Sequence, residues 1–309
     1  MDKKRVLIAG ATGFVGRALA GELASAGYEV AALTRNIAKS TRLFGKDVQS
    51  VFWDGRTADS WGSLADGAHA IINLAGDNLA EGRWTKAKKN RILKSRLDAG
   101  AAVCGAVRGA RQKPKVVVQA SAVGFYGPRG DEEIDESSSA GLGFLADVVR
   151  AWEDSTREVE ALGVRRVVIR SGLVLGRGGG VFPRLVLPFK IFAGGPLGSG
   201  RQWFSWVHMS DEVGAIRFLV ERESLGGVFN LTAPNPLEEK DICRAIGKVL
   251  RRPCWLPVPA FVLKLLFGEK AKETILEGQR VFPRRLAEAA FAFRYPDADA
   301  ALAELLLKS

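Results

Sequence analysis

A chain of 309 residues can form one large domain or two modest ones around a sizeable buried core. Its 47% hydrophobic and 26% charged residues exclude a disordered or fibrous polymer. The net charge of +11 leaves nucleic acid, a membrane surface, an anionic small molecule or a merely solvated basic surface open.

In chain order, the start Met1-Asp2-Lys3-Lys4-Arg5 imitates a signal peptide. Gly10, Thr12, Gly13 and Gly16 break the apolar stretch that such a leader needs, so none is expected. Residues 5–9 are a continuous apolar run ending in glycine, the pattern of a central parallel strand. Residues 14–26 read as a helix closed by Gly27. Further strands are predicted at 30–33, 48–53, 70–74, 116–120 and 167–170, with helices at 85–108 and 144–161. In the first of these helices Leu93, Leu97, Ala101 and Cys104 recur at helical spacing and predict its apolar face. Repeated strand–helix–strand units imply a doubly wound parallel sheet with ligands at its carboxyl ends.

After Gly172 the glycine clusters at 178–180, 194–195 and 198–200 punctuate a loop-rich region. A helix at 211–223, capped by Asp211, and a strand at 227–231 are expected to return to the sheet. From Pro234 the chain is helix-rich with many prolines. The apolar run 255–267 holds Pro257, Pro259 and Lys264, is too short to span a bilayer, and reads as a buried or groove-lining helix. Three scattered cysteines form no C-x-x-C pair, and His69 and His208 are too few and too far apart for a metal cluster. A cytoplasmic protein with no metal is expected.

The first motif is Gly10-Ala11-Thr12-Gly13-Phe14-Val15-Gly16, directly between the first strand and the first helix. Glycines there allow a tight turn, close backbone approach to a pyrophosphate, and exposure of a helix N-terminus that attracts the anion. Gly10, Thr12, Gly13, Phe14, Val15 and Gly16 are therefore candidate cofactor residues. The second strand ends Thr34-Arg35-Asn36, with Lys39 and Arg42 beyond, where an NAD enzyme usually places an acid for the ribose hydroxyls. A guanidinium suits the 2′-phosphate of NADP(H), and Thr34 and Arg35 join the candidates. The same cations would also suit the plain surface of a basic protein.

Together these residues resemble the extended short-chain dehydrogenase/reductases, in particular an atypical branch of "epimerase family" proteins with its own C-terminal domain. The resemblance is carried by residues 10–16, Asn73-Leu74-Ala75-Gly76, Gly82-Arg83-Trp84-Thr85, Ser95-Arg96, residues 120–127, Trp152-Glu153, residues 170–176, Ser205-Trp206-Val207-His208 and Asp211. It continues through residues 194–198, 230–234 and Gly278-Gln279-Arg280-Val281 with Pro283. It implies that Asp54 lies near the adenine, and that Leu74, Ala75 and Gly76 run under the pyrophosphate and nicotinamide ribose. It further implies that Ser121 sits beside the nicotinamide, and that Arg96 points toward cofactor or substrate.

That superfamily uses a tyrosine and a lysine four residues later on one helix face. The lysine lowers the tyrosine pKa, and the phenolate moves the proton that accompanies hydride transfer. Here Tyr28, Tyr126 and Tyr295 are followed four residues on by Ala32, Gly130 and Asp299, so the pair is missing. If Glu153 matches the family's glutamate after the lysine, Leu145 and Val149 take the pair's places. Ser121 and Tyr126 are the nearest catalytic candidates. A strand-end hydroxyl bonded to backbone and a structurally packed phenol account for them as well. His208 reads mainly as a structural residue at the 211–223 helix. The basic run Lys86, Lys88, Lys89, Arg91, Lys94 and Arg96 lacks interleaved aromatics and reads as a solvated helix face rather than a nucleic-acid site.

The expected fold class is α/β, a doubly wound parallel Rossmann sheet with a smaller helix-rich C-terminal substrate lobe. Residues 1–172, with 211–233 returning, would form the NADP-binding domain, and 173–210 with 234–309 the substrate lobe. The expected function is an NADP(H)-dependent oxidoreductase or epimerase-like enzyme for a small anionic substrate, with a nucleotide sugar suggested by the resemblance. The alternative is a non-catalytic NADPH-binding sensor. Neither nucleic acid nor membrane is an expected partner, and a homodimer is left open.

Overall fold

In the computed structural model, which describes residues 3–307, the first apolar run forms β1, Arg5–Ala9, buried from Val6 onward. Met1 and Asp2, which open the signal-like start, lie outside the described residues, as do Lys308 and Ser309. Six more strands join it: β2 (Glu29–Thr34), β3 (Val48–Phe52), β4 (Ala70–Asn73), β5 (Val116–Ala122), β6 (Arg165–Ser171) and β7 (Gly227–Leu231). All pairings are parallel, in the order β7-β6-β5-β4-β1-β2-β3, so the winding reverses between β1 and β4. This is the Rossmann-like α/β fold that the alternating pattern predicts. Strand 227–231 returns to the sheet beside β6, from Gly227 opposite Val167 to Leu231 opposite Ser171.

The helices are α1 (Phe14–Ser25), α2 (Ile37–Phe44), α3 (Lys86–Gly109), α4 (Phe144–Asp154), α5 (Glu158–Ala161), α6 (Phe182–Lys190), α7 (Met209–Glu221), α8 (Glu239–Leu250) and α9 (Ala260–Phe267), with shorter turns and a terminal helix Ala298–Leu307. Because strand side chains alternate, the sheet feeds one core on each face. Val6, Ile8, Val118 and Ile169 pack with Leu19 and Leu23 of α1 and Val213 and Ile216 of α7. Leu7, Ala9, Ile71 and Val117 pack with Ala99, Val103 and Ala106 of α3. Each large apolar side chain buried this way contributes about 1.5–3 kcal/mol. A further core joins Phe182 and Phe189 of α6, Trp206, Ile242 and Ile246 of α8, and Leu302 and Leu305 of the terminal helix.

Several expected details are corrected. The buried stripe of α3 runs through Ile92, Arg96, Ala99, Val103 and Ala106. Leu97 is 38% exposed, Ala101 is exposed and Leu93 is half-buried. Cys104 alone of the predicted face is buried. An apolar pattern does not mark this stripe because an arginine, Arg96, stands in it, stacked 4.6 Å over the Trp152 ring. The 144–161 helix is two helices, since α4 stops at Asp154 and Ser155 Oγ turns back to donate to the Trp152 carbonyl at 2.7 Å. Asp211 does not cap α7. His208 does, its Nδ1 accepting the Ser210 N–H at 3.1 Å, while Asp211 accepts the N–H groups of Arg294 and Tyr295 at 2.7 and 2.9 Å.

Helix α9 is not buried. Phe261, Leu265 and Leu266 are 71%, 72% and 57% exposed, Val262 and Phe267 are half-buried and Leu263 is buried, so of the two expected readings the buried helix does not hold. Cys243 and Cys254 are joined by a disulfide between α8 and the loop beyond it, with Cα atoms 6.4 Å apart, a pairing the spacing gave no sign of. Within the basic run, Lys88 pairs with Asp77, Lys89 with Glu269 and Lys94 with Asp98. Among the described residues no helix is long and apolar enough to cross a membrane. None of their His, Cys, Asp and Glu side chains form a group that could hold a metal ion.

Candidate functional site

At the carboxyl end of β1 the turn is built from backbone. Gly10 has φ +83°, and a Cβ there would stand 2.9 Å from the Leu74 carbonyl. Its own carbonyl accepts the Gly13 N–H at 2.9 Å. Gly16 lies so close beneath this turn that a Cβ would overlap the Gly10 oxygen. Gly13 is the N-cap of α1, no side chain caps it, and no acid stands in the first turn. The helix therefore offers unclaimed N–H groups and a positive dipole end at the carboxyl edge of the sheet, which fit a pyrophosphate. Thr12 and Val15 are half-buried beside it. The Phe14 ring lies under the glycine run 176–180, where a Cβ on Gly176 or Gly180 would come within 3.0 or 2.7 Å of it.

At the end of β2, Thr34 Oγ1 accepts the Asn36 N–H at 3.1 Å, and Asn36 caps α2 by accepting the Lys39 N–H at 2.9 Å. Arg35 is exposed and lies beside Gly55. Asp54 Oδ1 accepts the N–H groups of Thr57 and Arg56 at 2.9 and 2.7 Å. These two bonds hold its pKa below the ordinary value and commit that oxygen to shaping the loop.

Beyond β4, the Leu74 N–H reaches the Ala9 carbonyl at 2.9 Å and the Ala75 N–H reaches Asn73 Oδ1 at 3.3 Å. Gly76 rests on the Arg96 guanidinium, 2.9 Å from where a Cβ would stand. Arg96 is 6% exposed and donates to the carbonyls of Ile92 and Asp77 at 3.0 and 3.2 Å. Burial pulls its pKa down to about 10. It props the loop from beneath.

Ser121, Arg170 and Asn230 stand in register across β5, β6 and β7, and so share one face. Ser121 Oγ donates to Glu153 Oε1 at 2.5 Å, and Arg170 grips both Glu153 oxygens at 2.8 and 2.9 Å. Arg170 Nη1 also donates to the Tyr126 hydroxyl at 3.0 Å, which donates to Asn230 Oδ1 at 2.7 Å. The structure thus brings Ser121 and Tyr126 into one network and aims both inward. Tyr126 is fully buried, and burial pushes its pKa up despite Arg170. Glu153, Arg170 and Asn230 were not singled out as site residues. The legible signal is a charged Arg170 directly after the apolar run Val167-Val168-Ile169. On the opposite face Glu212 is wholly buried, accepts from Ser171 Oγ at 2.6 Å, and is pushed by burial to about 7.

A cavity of about 270 Å³ opens where the loop after β5 (Gly124, Gly127), the start of α4 (Gly143, Leu145, Ala146) and residues 272–279 meet. The C-terminal segment is held there by the pairing of Arg280–Val281 with Glu133–Ile134. Leu145, in the place the tyrosine was expected, lines the cavity, and Val149 is buried. Glu273 reaches across to accept the N–H groups of Leu145 and Phe144 at 2.8 and 3.3 Å.

Fold and glycine turn together define a dinucleotide-binding protein of the Rossmann class. Residues 6–232 match the model of the NAD dependent epimerase/dehydratase family, and residues 258–305 match DUF1731, a domain of unknown function. The chain belongs to that epimerase/dehydratase family. It is 40% identical over 293 residues to the chloroplastic epimerase family protein SDR39U1 homolog of Arabidopsis thaliana, covering 94% of this chain and 83% of the relative. The crystal structure of human epimerase family protein SDR39U1 (isoform2) with NADPH is similar at TM-score 0.89 and 33% identity, over 99% of this chain and 100% of that one. A nucleoside-diphosphate sugar epimerase from Corynebacterium glutamicum is similar at TM-score 0.78 and 31% identity, over 99% of this chain and 58% of that one.

Proposed function

We propose that this chain is an NADP(H)-dependent oxidoreductase or epimerase-like enzyme, cytoplasmic, acting on a small anionic substrate of the nucleotide-sugar class. The observation that carries the reading is the uncapped start of α1 behind Gly10, Gly13 and Gly16, with Arg35 at the tip of β2 where an acid would serve NAD. Thr12, Phe14 and Val15 complete the pyrophosphate turn, Thr34 and Arg35 meet the 2′-phosphate, Asp54 shapes the adenine side, and Leu74 to Gly76 with Arg96 carry the ribose side. When bound, the dinucleotide supplies a hydride acceptor or donor at nicotinamide C4. In this reading residues 1–172 with 211–233 hold the cofactor and 173–210 with 234–309 shape the substrate space. The NADPH in the human relative and the sugar-nucleotide name of the bacterial one support the two ligand classes.

The test is a pair of binding titrations. Arg35→Asp is expected to weaken NADPH roughly 10–100-fold, the size of one lost charge-assisted contact, and to change NADH by less than about threefold. Equal losses for both nucleotides sink the NADP assignment. Because Ser121 and Tyr126 are bonded inward, a second reading, an NADPH-binding sensor without turnover, is kept. Hydride exchange from labelled NADPH into sugar nucleotides, ketones and aldehydes favours the enzyme, and tight binding with no exchange favours the sensor.

A further inference from the structure

We infer that Glu273 is the proton acceptor and donor of the reaction, a role the missing tyrosine leaves open. The inference rests on the oxidoreductase reading above. Ser121 spends its hydroxyl on Glu153, and Tyr126, within the loop after β5, is fully buried with its hydroxyl bonded to Arg170 and Asn230. The described ionisable side chains that line the 270 Å³ cavity are Lys272, Glu273 and Glu277, and all come from the C-terminal segment. Lys272 and Glu277 face each other at 3.7 Å.

Glu273 is placed differently. Its carboxylate accepts two N–H groups at the first turn of α4, one of them belonging to Leu145 itself. An ionised carboxylate has about four acceptor sites, so two such bonds fix its orientation and leave capacity for a substrate hydroxyl. The residue is half-buried and reachable from the cavity.

The backbone beneath it is tied to two other segments of the chain. Residues Lys272–Leu276 form a π-helical turn, an irregularity that often marks functional positions. The turn is pinned by Lys270 Nζ donating to the carbonyls of Ala80 and Gly82, both at 3.0 Å. Gln202 Nε2 donates to the Ile275 carbonyl at 3.0 Å from the other side. A side chain held from both ends in this way is preorganised for proton transfer.

In the oxidative direction the substrate's secondary alcohol gives its O–H proton to the Glu273 carboxylate. The hydride on the same carbon passes to the oxidised nicotinamide dinucleotide, and the C–O single bond becomes C=O. Glu273 ends as the carboxylic acid, and the reverse step returns proton and hydride together.

The experiment uses the full chain, C4-labelled NADPH, and UDP-glucose and UDP-N-acetylglucosamine with their 4-keto derivatives as probes. Glu273→Gln keeps an oxygen acceptor for the Leu145 N–H and loses the protonatable group. It is expected to bind NADPH within about threefold of wild type, melt within about 2 °C, and exchange hydride at least about 100-fold more slowly. Glu273→Asp is expected to recover part of the rate. In the apoprotein, the ¹³C carboxyl resonance absent from Glu273→Gln is expected to shift when the UDP-sugar is added. Wild-type exchange with an unaffected Glu273→Gln overturns the role of Glu273 alone. Collapse of NADPH binding and melting temperature together assigns it to the fold and also overturns the inference. No exchange by wild type across the panel overturns the enzyme reading and this role with it.

Discussion

The carboxyl ends of β1 and β5 solve opposite problems. Around β1 glycines at 10, 13 and 16 bring the backbone close, and the start of α1 presents N–H groups that no side chain caps. Around β5 it piles polar side chains together, and every one of Ser121, Glu153, Arg170, Tyr126 and Asn230 is turned toward another. The first arrangement waits for a ligand, and the second is already satisfied. A polar cluster at the expected catalytic position is therefore not evidence of catalysis until its hydrogen bonds have been followed.

The contrast can be broken from either side. Glu153→Leu strands a buried guanidinium whose side chain is 5% exposed, and is expected to cost about 3–5 kcal/mol in urea unfolding. Adding Arg170→Leu should recover much of that loss, because an apolar pair needs no partner. A double variant as unstable as the single one would show that the network does more than satisfy itself. Gly16→Val drives a side chain into the Gly10 turn and is expected to weaken NADPH at least about 100-fold by fluorescence titration. Near-normal affinity would show that the turn is not the pyrophosphate seat.

The smallest effect concerns the opposite face of the sheet. Glu212 has a folded pKa of about 7 against an ordinary 4.5, so the fold binds its proton more tightly than the unfolded chain does. Its contribution is fully present below about 4.5 and lost as pH rises through about 7, on the order of 3 kcal/mol. Glu212→Gln is expected to flatten the fall in stability between pH 5 and pH 8, read as the midpoint of chemical unfolding. A slope unchanged from wild type would place the titrating group elsewhere.

What the sequence made legible follows from how local each signal is. The strands were visible because both their faces are buried, and the glycine turn because only glycine meets its backbone demands at positions 10 and 16. The stripe of α3 was misplaced because Arg96 is a polar residue doing a buried residue's packing. Asp211 looked like a cap, yet its partners lie more than eighty residues onward at Arg294 and Tyr295. Glu273 gave no sign at all, since it meets Leu145 across a sequence separation of 128. Contacts of that length are set by the pairing of Arg280–Val281 with Glu133–Ile134, two-residue strands too short to leave a periodic trace. The exposure of α9 escaped for another reason: an apolar pattern says which side chains avoid water, not whether the chain has anything to cover them.

One covalent detail divides the molecule in another way. The Cys243–Cys254 link ties α8 to the loop that leads to α9 and packs with Phe182 and Phe189 of α6, far in sequence from any strand of the seven-stranded sheet except β7. A loop of that size restrains the unfolded chain by roughly 3 kcal/mol when the bond is made, and by nothing when it is reduced. The seven strands hold no cysteine, so their cohesion is indifferent to thiols in the surrounding solution. Glutathione poise thus acts directly on the short segment between α8 and α9, while the seven strands carry no bond for it to make or break.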